Sequence, residues 1–242
     1  DHRFKLVEPA ALKIRSQLQE NGARLIVALF DENSGNDSRW FVGHEGPQEE
    51  YAFWLEKLLE DDELGLVIKP KSPKTLRRRL GDVANLLDRA LQTGRCFISE
   101  AGVIQGSAPP ALAAKAADVA VHGSLYSLTA AVEAALAGTP VLVKDDGLPG
   151  SPMYTLLGEG KVIFNDWNSL WSACMELKRH PDSNELGDWS HVLDDLDPFR
   201  DGKAAERMGT YLNWLVQDLT KGIGREAALV KAAERYSLAW GA

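Results

Sequence analysis

The sequence predicts an α/β protein, a doubly wound parallel sheet of about six strands followed by C-terminal helices. Three observations lead there. Short apolar runs alternate with longer stretches of helical periodicity along most of the chain. The runs, such as Arg24 to Phe30 (RLIVALF) and Leu64 to Lys69 (LGLVIK), are nearly continuous in apolar residues, as strands covered on both faces are. Between Ala117 and Lys144 (ADVAVHGSLYSLTAAVEAALAGTPVLVK), a strand, a Gly-Ser turn, a helix, a Gly-Thr-Pro stop and a second strand follow one another.

The elements read in order as follows. Leu6 to Glu20 is a helix closed by Asn21-Gly22. Arg24 to Phe30 is the first strand, and the polar, glycine-containing stretch Asp31 to Gly46 is a loop. Glu49 to Asp61 is a helix with Tyr51, Trp54, Leu55, Leu58 and Leu59 on one face. Leu64 to Lys69 is the second strand. Ser72-Pro73 opens a helix that runs to about Gln92, with Pro at its first position. Cys96 to Ile98 is a third strand, and Pro109 to Ala116 a short helix. The Ala117–Lys144 unit then supplies strand, helix and strand. Tyr154 to Glu159 is a brief helix, Lys161 to Phe164 a strand and Asn168 to Lys178 a helix. Asp182 to Asp201 is polar and rich in Asp and Pro, which predicts a connecting loop. Two helices close the chain, at about 202–219 and 224–238, the first with an apolar stripe of Met208, Tyr211, Leu212, Leu215 and Leu219.

Composition narrows the function. The 242 residues suit one large domain or a domain with a helical tail; 45% are hydrophobic and 26% charged, as in globular proteins. The net charge of -8 argues against a general nucleic-acid binder, despite the Arg77-Arg78-Arg79 run, which reads as a solvated helix face. No signal peptide or membrane-spanning run is read. Cys96 and Cys174 lack metal-type spacing and read as buried thiols in a reducing, cytoplasmic setting. The histidines show no metal spacing, so no metal site is expected. The chain opens Asp1-His2-Arg3 without Met, which leaves a fragment or a preceding disordered stretch as readings.

The candidate chemistry lies where strands end. Ser124, Ser127 and Thr129 cluster at the start of the helix in the Ala117–Lys144 unit. One of them would suffice for a cap; a cluster at the carboxyl end of a parallel strand also suits an anion, because helix N-termini carry free N–H groups and a positive dipole end. Glu133 lies six residues after Ser127, roughly 9 Å along the helix, the span from a phosphate to a ribose; its other reading is a solvated carboxylate. Lys69 and Lys71, in Lys69-Pro70-Lys71-Ser72-Pro73, stand at a strand end where they could neutralise phosphate or simply be solvated. His122 closes the strand before Gly123, placed to meet a phosphate or a hydroxyl, or to be satisfied by the turn. Asp31 to Gly35, Ser99 to Gly102 and Asp145 to Gly150 end strands on the same edge and also read as ordinary turns. No Gly-x-Gly-x-x-Gly, Walker-type or Gly-x-Ser-x-Gly motif is present.

These residues together resemble the C-terminal half of a GT-B glycosyltransferase. The resemblance rests on Lys69-Pro70-Lys71, Ala117 to Val121, Ser124 to Thr129, Glu133 and Ala137-Gly138-Thr139-Pro140-Val141, and covers about Arg24 to Lys178. It is similar to bacterial surface-polysaccharide enzymes of the sialyl-, Kdo- and CDP-glycerol-transferase kind, which often carry Lys-Pro-His-Pro where Lys71 stands in place of the His here. The resemblance implies a Rossmann-like domain at 1–181 that binds a nucleotide-sugar, CMP-, CDP- or UDP-linked. The apolar stripes of the last helices predict separately that the linker and helical extension at 182–242 pack on this domain or reach to a missing partner domain. The resemblance further implies phosphate binding by Lys69, Lys71, His122, Ser124, Ser127 and Thr129, and ribose binding by Glu133. No cofactor beyond the donor substrate is implied, and the catalytic residue is left unassigned. The expected partners are a glycan acceptor and an N-terminal GT-B domain outside this chain, with peripheral association at the inner face of the membrane. A non-catalytic assembly module of the same fold and an epimerase-like enzyme acting on nucleotide-sugars are the alternatives.

Overall fold

The computed structural model describes residues 2–32, 34–35, 43–99, 108–125, 127–145, 151–180 and 185–241, with backbone alone at 2 and 3. They fall into two compact units, Arg3–Pro198 and Phe199–Ala242, the latter joined by Asp1–His2.

The larger unit is built on six parallel strands: β1 (Leu25–Phe30), β2 (Leu64–Lys69), β3 (Cys96–Ile98), β4 (Val119–His122), β5 (Val141–Lys144) and β6 (Ile163–Phe164). Their order across the sheet is β3-β2-β1-β4-β5-β6. The chain winds outward from β1 to β3, then crosses back and winds the other way from β4. The two directions part between β1 and β4. This is a doubly wound, Rossmann-like α/β fold.

Side chains alternate along a strand, so β1 feeds two cores. Ile26, Ala28 and Phe30 pack against α1 (His2–Glu20), α5 (Pro110–Ala116), α6 (Thr129–Leu136), α7 (Pro152–Leu157) and α9 (Ser190–Leu196). Leu25, Val27 and Leu29 pack on the other face against α2 (Glu45–Glu60), α3 (Leu76–Leu80), α4 (Ala84–Gln92) and α8 (Trp167–Arg179). All six β1 residues are buried, which accounts for its unbroken apolar sequence. Two charged side chains, Asp118 half-buried and Arg95 buried, fasten the N-terminal edge. Asp118 accepts from the Ile26 N–H at 2.8 Å and from Arg15 at 2.5 Å, tying β4 to β1 and α1. Arg95 donates to the Leu58, Asp61 and Leu64 carbonyls around the end of α2.

Several boundaries differ from the sequence reading. The helix expected to run from Pro73 to Gln92 is interrupted: a 3-10 turn at Pro73–Thr75 leads into α3, and Gly81, at φ +55°, ends α3 before the chain re-enters helix as α4. Only glycine takes that φ readily. The break leaves Arg79 buried and Arg77 paired with Asp88 at 2.6 Å, so the arginine run is not a uniformly solvated face. The loop expected over 182–201 contains α9. Asp188 accepts from the Ser190 N–H at 2.8 Å, and Trp189, Val192 and Leu193 are buried at helical spacing. Trp189 also donates to the Val141 carbonyl at 3.1 Å. The unit boundary accordingly falls after Pro198 rather than after residue 181.

The smaller unit is a helical hairpin of α10 (Ala204–Thr220) and α11 (Arg225–Trp240). Tyr211 meets Tyr236 edge-on at 6.1 Å, and Trp214 meets Trp240 at 5.6 Å. Arg207 forks onto Asp201 at 2.8 and 2.9 Å and lies 3.8 Å above the Phe199 ring. Of the expected α10 stripe, Tyr211 and Leu215 are half-buried, while Met208, Leu212 and Leu219 are exposed, together with Val216.

Candidate functional site

Because every strand is parallel, all carboxyl ends lie on one edge, and in doubly wound sheets ligands sit on that edge where the winding reverses. The register places Lys69, Phe30, His122 and Val143 in one row across β2, β1, β4 and β5. Asp31-Glu32, Pro70-Lys71, Gly123-Ser124 and Lys144 follow immediately. Asn33, Glu100 to Gly102 and Asp146 to Gly150, three stretches of the predicted edge, lie outside the described residues.

Asp31 organises one side of the edge. Its buried carboxylate accepts from Tyr51 at 3.0 Å, from Arg79 Nη2 at 2.8 Å and from the Lys71 backbone N–H. Arg79 Nη1 also donates to the Glu32 carbonyl at 3.0 Å. Both side chains of the Asp31–Arg79 pair are withdrawn from solvent, so the pair fastens the end of β1 to α3. Lys71 joins through its backbone. Burial raises the Tyr51 hydroxyl well above its usual range, reinforced by the neighbouring Asp31 and Glu50.

Lys69 and His122 project to the opposite face, with Phe30. The Lys69 ammonium donates to the Pro70 carbonyl at 3.1 Å. Burial lowers its pKa, against the pull of Asp31, while Lys71 lowers it further and Glu133 opposes. His122 packs 6.5 Å from the Phe30 ring and accepts from the Ser124 N–H through Nδ1 at 3.2 Å. Burial pushes its pKa down to about 4, so the ring is neutral near pH 7 and, with Nδ1 accepting, carries its proton on Nε2. Nε2 lies 3.7 Å from Glu32 Oε1 and has no hydrogen bond among the described residues. His122 thus shapes the turn into α6 as a neutral group.

Of the hydroxyl cluster, Ser124 is buried, Ser127 half-buried and Thr129 exposed as the first residue of α6. The cap position is Leu128, and among the described residues no side chain is bonded as a cap at the helix start. The capping reading is therefore not realised, and the first-turn N–H groups of α6 keep their capacity for an anion. Glu133 is not a solvated flank: its Oε1 accepts from the Ala111 N–H at 3.0 Å and caps α5. The structure thus brings Lys69, His122, Ser124 and the start of α6 to one edge and gives Glu133 a structural bond beside them.

Glu50 belongs to no motif in the sequence. It lies on α2 one residue before Tyr51, in the helix face that packs on the sheet, and is 5% exposed. Burial, reinforced by Asp31 and Glu32, raises its carboxyl well above the usual range, while Lys144 and Arg79 pull the other way. Its Oε1 has no hydrogen-bond partner among the described residues. The signal was available: Glu50 and Arg79 each sit within an otherwise apolar helical face. A buried carboxylic acid with a shifted pKa in a crevice marks a candidate functional site.

Beside Glu50, between α2, the ends of β4 and β5 and the start of α8, lies a cavity of about 110 Å³. A roomier cavity, about 480 Å³, opens between the end of α6, the start of β5 and α9, on the edge away from the strand carboxyl ends. Among the described residues no group of three His, Cys, Asp or Glu side chains is placed to hold a metal, and no helix is long and apolar enough to cross a membrane. Cys96 and Cys174 are buried thiols, the first pushed up to about 12 by burial.

No family model and no curated protein matches the sequence. Among solved structures, the N-terminal domain of trehalose-6-phosphate phosphatase from Candida albicans is similar at 16% identity and a TM-score of 0.46. The match covers 79% of this chain and 45% of that one, so the chain spans less than half of the structure it resembles.

Proposed function

We propose that the chain is the donor-binding half of a GT-B glycosyltransferase, acting in surface-polysaccharide or glycan synthesis on a CMP-, CDP- or UDP-linked sugar. The observation that carries this reading is the start of α6, which no described side chain caps, on the same sheet edge as the buried ammonium of Lys69, at the point where the winding reverses. A helix N-terminus and an ammonium together favour a phosphate that gains charge as the glycosidic bond to it breaks. Ser124, Ser127, Thr129 and Lys71 line the phosphate path in this reading, and the neutral His122 holds the turn. Glu133 reaches the ribose by exchanging or sharing its bond to Ala111. An N-terminal GT-B domain supplies the glycan acceptor site and the catalytic base, and peripheral docking places the enzyme at the inner face of the membrane. Calorimetry with CMP, CDP, UDP and GDP tests the reading: millimolar or tighter binding that weakens at least tenfold in Lys69→Ala supports it, and no binding to the folded chain defeats it.

A second reading, a non-catalytic assembly module, draws on the exposed Met208, Leu212, Val216 and Leu219 along α10. It requires that no nucleotide bind. Product analysis with UDP-sugars separates a third reading, an epimerase-like enzyme, from transfer.

A further inference from the structure

We propose that the cavity beside Glu50 is a subsite for a hydroxyl-bearing group, one edge of the sugar carried by the nucleotide, read by Glu50 and Lys144. The proposal rests on the donor-binding reading above and adds which side chains recognise the transferred group.

The cavity is lined by Glu32 from the end of β1, Glu50 from α2, Gly123 and Ser124 after β4, Lys144 from β5 and Trp167 from α8. At about 110 Å³ it has room for about three or four waters at roughly 30 Å³ each, the space of a few hydroxylated carbons. Its chemistry is mixed. Lys144 lies 5.4 Å above the Trp167 ring and donates to the Asp145 carbonyl at 3.0 Å, so its ammonium is fixed at the wall. Glu32 and the more exposed Glu49 bring carboxylates. An anion entering here would face these carboxylates with one ammonium to offset them, which disfavours phosphate. A hydroxyl group donates a hydrogen bond to a carboxylate and accepts one from an ammonium or a carboxylic acid, so it suits each polar wall.

Glu50 is the group that points to a ligand. Its carboxyl is almost fully buried, yet Oε1 has no partner among the described residues. The charged groups around it are Asp31 and Glu32 from β1, Arg79 from α3 and Lys144 from β5. Burial and the two neighbouring carboxylates favour its neutral form, which can donate as well as accept. Gly123 makes room for it, because a Cβ there would overlap the Glu50 carboxyl. The Glu50 side chain lines the cavity, and a buried carboxyl left with an unbonded oxygen is matched when a ligand hydroxyl supplies the bond. Trp167 offers an apolar surface for the C–H groups of the same sugar edge.

Calorimetry on the full chain, comparing UDP with UDP-glucose and CMP with CMP-N-acetylneuraminate, tests this in wild type, Glu50→Ala and Glu50→Gln. The expected result is a sugar-linked ligand that binds about tenfold tighter than its bare nucleotide in wild type. Glu50→Ala loses that gain while binding the bare nucleotide as before, and Glu50→Gln, whose amide both donates and accepts, keeps most of it. An unchanged ratio in Glu50→Ala overturns the subsite and leaves nucleotide binding standing. Equal loss of both ligands in Glu50→Ala and Glu50→Gln also overturns it, since that marks a structural role. If wild type binds neither nucleotide nor nucleotide-sugar, the donor reading and the subsite fall together.

Discussion

The carboxyl of Glu50 lies against the backbone of Gly123, in the space a β-carbon on residue 123 would occupy. Gly123 has no left-handed φ, so the constraint there is one of room rather than of backbone conformation. Gly123→Ala is expected to destabilise the protein by about 1–3 kcal/mol, the usual cost of forcing atoms into a filled site. Adding Glu50→Ala removes the obstacle. Urea unfolding of the two single variants and the double should give a coupling of at least about 1 kcal/mol; strict additivity would mean the two groups do not meet.

Removing one partner of the Asp31–Arg79 pair strands the other in the interior. Arg79→Ala is expected to cost about 3–5 kcal/mol, and Arg79→Lys to recover little because a lysine cannot reach Asp31 and the Glu32 carbonyl together. A loss under 1 kcal/mol in denaturant titrations would show that the pair is solvated.

His122 makes stability depend on pH. Its folded pKa, about 4, lies below the ordinary histidine value of about 6.5, so between these values the unfolded chain binds the extra proton. Stability is therefore complete above about pH 6.5 and falls as the pH drops toward 4, by on the order of 3 kcal/mol. In His122→Asn the amide oxygen can take the Ser124 N–H without titrating. The difference between wild type and this variant, followed by urea unfolding from pH 7 to 4.5, should shift against wild type; parallel curves would contradict a buried neutral ring.

Lys69 should set the upper pH limit of nucleotide binding. Its pKa is lowered chiefly by burial, so the ammonium is lost before an ordinary lysine, at about 10.4, gives up its proton. Affinity for UDP or CMP is expected to fall as pH rises through that lowered value. Lys69→Arg, charged throughout, should flatten the profile. Equal pH dependence in both proteins would remove Lys69 from the phosphate path.

The sheet was legible because its strands are buried on both faces and leave long apolar runs, as RLIVALF does for β1. The edge residues Lys69, His122 and Ser124 were legible because they stand where such runs end. Periodicity misses a charged group within an apolar helical face, and so Glu50 and Arg79 escaped. Their signal was the position, one step from Tyr51 and one step from Leu80. The sequence offers Glu133 as a ribose contact or a solvated carboxylate because its partner, the Ala111 N–H, is distant in sequence. The helix at Ser190–Leu196 was hidden by the surrounding Asp and Pro, although Trp189, Val192 and Leu193 already had helical spacing.

Among the described residues, the strands shorten from the middle of the sheet outward, from six residues in β1 and β2 to three in β3 and two in β6. Each border strand therefore offers only a few unpaired peptide groups to another chain. A strand from a neighbouring molecule would find too little backbone to add itself in register, so the sheet is guarded at both ends against growing into intermolecular β-aggregates.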